Sequence, residues 1–180
     1  MSGSKVTATE AAQEAVTTLG LLHANAVTTI AALLNPETRE HPRAIATAYR
    51  KAGEQVSDSD KRALGLRKNA FLSQPALAEI TPLGRADPLG AHEVTLLRAT
   101  FTLIRGRRVA EEGALKTQLG NAFIGFQHET LGRECPACNR LDGRVTRGAD
   151  AAVLPPSDCI AGCTANYGIR PKIDFLADID

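Results

Sequence analysis

All four cysteines of this 180-residue chain fall in its last quarter, as Cys135-Pro-Ala-Cys138 and Cys159-Ile-Ala-Gly-Cys163, a C-x2-C-x20-C-x3-C spacing. Two close pairs about twenty residues apart suit a tetrahedral zinc site: each pair spans one edge of the tetrahedron and the intervening chain closes the opposite one. The spacing predicts Zn2+ held by Cys135, Cys138, Cys159 and Cys163. Four thiolates leave no coordination position for water, so such a metal is structural rather than hydrolytic. Pro136 presets a turn between the first two sulfurs, and Asn139 is expected to follow in the left-handed conformation. Leu141-Asp142-Gly143-Arg144-Val145 reads as a hairpin with Asp-Gly at the reversal. Arg133, Arg140, Arg144 and Arg147 are placed to offset the net −2 of a tetrathiolate zinc, with Glu134, Asp142 and Asp150 acting against them. The competing readings are disulfides, an iron–sulfur cluster and unrelated buried thiols. Disulfides need an oxidising compartment, and MSGSKVTATE lacks the basic-then-apolar order of a secretory leader. A cluster would come with further redox features. His128, seven residues before Cys135, is an alternative ligand.

Charge excludes little else. Lys and Arg number 21 against 20 Asp and Glu, a formal net charge of +1, whereas coating a polyanion calls for a basic excess or a clustered basic face. Hydrophobic residues at 43% and charged residues at 23% fit a globular chain. With 4% aromatics and no Trp, the core must be built from Ala, Leu, Val and Ile, the composition of closely packed helices. Residues 15–34 carry no formal charge, long enough to raise a membrane span. His23, Asn25 and four threonines interrupt that run and no basic cluster flanks it, so a buried or self-associating helix is expected, and no membrane.

That helix should start at Thr7 or Thr9 and run to Leu34, where Asn35-Pro36 stops it, with Val16, Leu19, His23, Val27, Ile30 and Leu34 on one packed stripe. Helices over Pro42–Gly53 and Ser59–Leu72 follow, where Arg50, Lys51, Glu54, Asp58, Asp60, Lys61 and Arg62 read as a solvated face. Gln74–Gly90, with three prolines, reads as a loop with at most a helical turn near Ala76–Ile80. A long helix is expected from His92 to Gly120, carrying the densest basic cluster, Arg98, Arg105, Arg107 and Arg108. Ala122–Leu131 is too short and too β-rich for another helix and reads as a strand. His41 and His92, each beside a helix start, read as surface or capping residues. The expected fold is α+β: a helical region over residues 1–90, then over 91–180 a long helix and a small β-rich module stapled by zinc.

The run from Phe123 to Cys163, GFQHETLGRECPACNRLDGRV followed by LPPSDC and a second cysteine, resembles the C-terminal region of phage Mu F-like minor head (head morphogenesis) proteins. The matching positions are Cys135, Cys138, Leu141, Asp142, Gly143, Pro155, Pro156, Cys159 and Cys163, within a likeness covering about half the chain, Glu93 to Phe175. Where the family has His-Pro before its third cysteine, this chain has Ser157-Asp158. The resemblance implies a non-enzymatic structural protein of virion assembly or DNA packaging near the portal. It would be located in the phage head or host cytoplasm, with portal or capsid proteins, and DNA, as partners, in an oligomer or larger assembly. The uncharged first helix and the arginines Arg98, Arg105, Arg107 and Arg108 are then the expected contact surfaces. The rival reading is a zinc-ribbon nucleic-acid-binding or regulatory protein that reaches phosphates with Arg140, Arg144 and Arg147.

Overall fold

The computed structural model describes residues 6–34, 40–130, 135–159 and 167–176. The fold is α+β: among the described residues, six α-helices are followed by a three-stranded sheet whose first crossover carries a seventh, very short helix. The chain divides into two compact units, Ala8–Thr100 and Phe101–Asp180, the latter joined by Val6 and Thr7. The division falls within the long helix rather than ahead of it.

The first unit is built from α1 (Ala8–Leu19), α2 (Ala26–Leu33), α3 (Pro42–Lys51), α4 (Asp58–Ala63), α5 (Gln74–Ala78) and the first half of α6 (Pro88–Leu119). Its core is small and aliphatic, as the composition requires: Ala11, Ala12, Ala15, Ile30, Ala46, Leu72, Ala76, Leu96 and Ala99 are all essentially inaccessible. The single helix expected from Thr7 or Thr9 to Leu34 is two. Gly20 takes φ +63° and its N–H closes on the Val16 carbonyl (3.0 Å), a left-handed helix end that glycine adopts without strain. The chain then pairs briefly with the segment after α5, Leu22 opposite Ile80. His23 is exposed there, not on a packed stripe. The helix expected over Ser59–Leu72 stops at Ala63, ahead of Gly65 at φ +70°. Within Gln74–Gly90, Gln74–Ala78 forms α5, and α6 starts at Pro88, before the expected His92, because the Asp87 carboxylate caps Gly90 N–H (3.0 Å). His41 caps α3 by accepting from Arg43 N–H (3.1 Å). His92 does not cap; it is fully buried.

His92 belongs to a polar cluster that ties four segments together. Glu79 accepts from Thr29 Oγ1 at 2.5 Å through one oxygen, and contacts Tyr49 Oη and His92 Nε2 at 2.9 Å each through the other. Burial would raise the Glu79 carboxyl, but the hydrogen bonds from His92, Thr29 and Tyr49 outweigh it and hold the group below its ordinary value. Burial, then the Glu79 carboxylate, pushes the Tyr49 phenol up to about 12. Arg50 and Lys61, expected on a solvated face, are 3% and 7% exposed. Arg50 donates to Glu93 (2.7 Å) and to the Leu89 carbonyl (2.8 Å).

In the second unit β1 (Phe123–Thr130) is the central strand, flanked antiparallel by β2 (Val145–Thr146) and β3 (Tyr167–Ile173). Phe123 and Phe126 meet edge to face (5.4 Å) and are buried, as are Leu154, Ala151 and Ile169 of the same unit. Pro171 lies in β3, at the edge of the sheet, where a missing N–H is tolerated. Within this unit the second half of α6 is tied to the segment after β2 through Glu112, which accepts from Gly148 N–H (3.0 Å). A Cβ at Gly148 would stand 3.0 Å from Val109 Cα and 2.8 Å from that carboxylate, so glycine permits the approach. Among the described residues no helix is long and apolar enough to cross a membrane.

Candidate metal centre

Cys135 and Cys138 lie at the start of α7 (Pro136–Asn139), a single turn inside the connection from β1 to β2. Cys135 is the residue before the turn and Cys138 its third position; Asn139 N–H closes the turn on the Cys135 carbonyl (2.9 Å). That turn brings both sulfurs to one side, which is the physical content of a two-residue spacer. Pro136 initiates it as expected. Asn139 does not enter the left-handed region: only glycines do among the described residues, and it is Gly143, at φ +71°, that makes the reversal. Asp142-Gly143 therefore turns the chain as expected, but what it delivers pairs with β1 and not within a local hairpin: His128 N–H donates to the Arg144 carbonyl and Gly143 N–H to the His128 carbonyl, each at 2.9 Å. Thr130, at the end of β1, donates its hydroxyl to the Cys138 carbonyl (3.1 Å) and its N–H to the Asp142 carboxylate (2.8 Å), fastening the cysteine turn to the sheet.

The third cysteine comes from a second turn. Pro155-Pro156 leads into it, and Cys159 N–H closes on the Pro156 carbonyl (3.0 Å). Arg140 and Asp158 join the two turns at 2.6 Å, both largely exposed. The Cys159 sulfur then lies 3.8 Å from that of Cys135 and 3.5 Å from that of Cys138, and all three fall within 4.8 Å of one another. Zinc–sulfur bonds of about 2.3 Å in a tetrahedron place the sulfurs about 3.8 Å apart, whereas a disulfide bond measures about 2.05 Å. The separations fit thiolates around one ion. Cys135 and Cys138 are 1% and 0% exposed, and Cys159 is half-buried, so the donor set is soft and screened from water. Cys163 lies outside the described residues, as does Arg133.

His128 is not a ligand here. Its ring is fully buried, its Nε2 accepts from Ala152 N–H (3.0 Å), and its Nδ1 lies 2.9 Å from the Arg144 carbonyl. An acceptor Nε2 fixes the proton on Nδ1, and neither nitrogen is left for a metal.

The arginines separate. Arg98 lies in the first unit, 7% exposed, clamped on Glu14 through Nη2 (2.6 Å) and Nε (3.1 Å); it is not presented to a partner. Arg105 turns inward and its Nε donates to the Ala151 carbonyl. Arg107 is exposed and Arg108 pairs with Glu111 (2.6 Å). On the module, Arg140 is held by Asp158, Arg147 approaches Glu112 (4.0 Å), and Arg144 is exposed. The carboxylate partners of Arg140 and Arg147 draw off charge that was expected to offset the thiolates. Glu112 is held below its ordinary value, chiefly by its hydrogen bond from Lys116 and against some burial, with Gly148 N–H adding to the effect.

Fold and site together define an α+β chain with a buried cysteine cluster able to hold a metal ion. No protein-family model, curated protein or solved structure matches it.

Proposed function

We propose that this chain is a structural, non-enzymatic protein whose C-terminal module is stapled by one Zn2+, and that it serves in phage head morphogenesis near the portal. The observation that carries the zinc reading is the sulfur triangle, with edges of 3.5 and 3.8 Å joining two turns that the chain brings together across twenty residues. Cys135, Cys138 and Cys159 hold the ion, and Cys163 supplies the fourth thiolate the sequence spacing calls for. The metal contributes a cross-link: a three-stranded sheet with a two-residue β2 buries too little surface to hold both turns by itself.

The viral reading rests on the likeness around Cys135–Gly143 and Pro155–Cys159. Its test is recovery of the chain in purified particles, together with a salt-dependent gel shift. Presence in particles with negligible DNA binding is the expected outcome. Tight DNA binding that weakens steeply with salt, with the chain absent from particles, would transfer the proposal to the zinc-ribbon nucleic-acid-binding class.

A further inference from the structure

The sulfur cluster has an asymmetry that holding a structural ion does not use. Cys135 and Cys138 are sealed from solvent, whereas Cys159 is only half-buried, so among the three described cysteines it is the one a small polar molecule reaches. Its Sγ also has a close neighbour of its own kind: that of Cys138 lies 3.5 Å away, against 3.8 Å for Cys135. A disulfide bond of about 2.05 Å needs the nearer two sulfurs to close by only about 1.5 Å.

The two cysteine turns are already held side by side for such a bond. Arg140, which follows Cys138 closely, meets Asp158, the residue before Cys159, at 2.6 Å, and the Thr130 hydroxyl holds the Cys138 carbonyl to the sheet (3.1 Å). Joining Cys135 to Cys138 instead would cross-link one helical turn to itself and leave the second turn loose. Thiols that bind a metal do so as thiolates, so a sulfur of this cluster needs no separate base to act as a nucleophile.

We propose that Cys159 is the site at which this chain reacts with hydroperoxides, and that Cys138 resolves the product into a Cys138–Cys159 disulfide. The Cys159 thiolate attacks one peroxide oxygen: the S–O bond forms, the O–O bond breaks and the second oxygen leaves as hydroxide, giving a sulfenic acid. The Cys138 thiolate then attacks the Cys159 sulfur: the S–S bond forms, the S–O bond breaks and another hydroxide leaves. Two thiolates are thereby oxidised by two electrons, and one hydrogen peroxide is reduced to two hydroxides. The disulfide withdraws two donors together, so a Zn2+ held here is given up. That release rests on the zinc reading; the sulfur chemistry does not. Because the new bond joins the same two turns, a covalent cross-link takes over from the metal.

The test exposes the reduced full chain, freed of reductant under anaerobic conditions, to a small molar excess of hydrogen peroxide. Released metal is read with a zinc-sensitive dye, remaining thiols are alkylated, and disulfides are located by tandem mass spectrometry of a non-reduced digest. A Cys138–Cys159 disulfide is expected, with about one zinc released for each and both reversed by dithiothreitol and added zinc. Dimedone present from the start should label Cys159 and suppress the disulfide. The oxidised chain should melt above the reduced chain stripped by chelator. A first disulfide between any other cysteines, a dimedone label elsewhere, or an oxidised chain that melts no higher than the stripped one would each overturn the inference. Zinc measured before the peroxide keeps the two readings apart. A chain without zinc that still forms the Cys138–Cys159 disulfide upholds the sulfur chemistry and contradicts the zinc reading; a zinc-bearing chain that loses its metal through another disulfide does the reverse.

Discussion

Ala152 N–H donates to His128 Nε2, and that one hydrogen bond decides the chemistry of the ring. With the proton fixed on Nδ1, His128 works as a strut between β1, the β2 approach and residue 152. In His128→Ala an amide and a carbonyl lose their partner, each at about 1–3 kcal/mol, and a cavity opens. A loss of about 2–4 kcal/mol in urea unfolding is expected, with metal content unchanged; loss of the metal would instead make the ring a ligand. The meeting of Cys135, Cys138 and Cys159 was legible in the sequence because such a cluster is written in residue type and spacing. His128, Arg50 and His92 were not, because what buries them is distant in the chain: Glu93 for Arg50, Glu79 for His92, residues 144 and 152 for His128. A charge pattern reads as solvated until its partner is known.

At the scale of elements, the long and strongly patterned pieces were readable and their ends were not. The apolar periodicity of residues 8–34 is real, but Gly20 ends α1 and the periodicity alone carries the eye across it. Gly20 and the Asp87-Pro88 pair were the available signals, an αL terminator and a capped proline start. Strand β3 went unread in the sequence; Pro171 is compatible with a strand only at a sheet edge, and edge position is a property of the sheet. Gly20→Ala should cost about 1–2 kcal/mol, since alanine at φ +63° meets its own carbonyl. An unchanged denaturation midpoint would mean that the turn relaxes freely. The Glu79 cluster that joins α2, α3, α5 and α6 makes a pH statement. A carboxyl held below its unfolded value of 4.5 stabilises the fold above that pH and loses its contribution as pH falls through the lower folded value. Thermal melts of wild type and Glu79→Gln should therefore differ most near neutrality and converge as pH is taken well below 4.5. A difference independent of pH would show that the carboxylate charge plays no part.

For the molecule as a whole, the α+β class followed from composition and the order of patterns: alanine-rich helices first, β-branched and cysteine-bearing turns after. The place where the two units divide did not, because α6 is one continuous helix whose hydrogen bonds give no sign that its residues serve different cores. Hydrogen exchange on Cys138→Ser reads that division directly. Protection should fall across the described residues of Phe101–Asp180 and persist in Ala8–Thr100. Uniform loss would mean a single cooperative unit. Beneath all of this lies the sulfur triangle of Cys135, Cys138 and Cys159. Elemental analysis of the full chain, purified without added metal, tests it most directly: one zinc per chain, removed by a strong chelator with a clear drop in melting temperature, is the expected result, and well under one equivalent with a melt indifferent to chelator would contradict it.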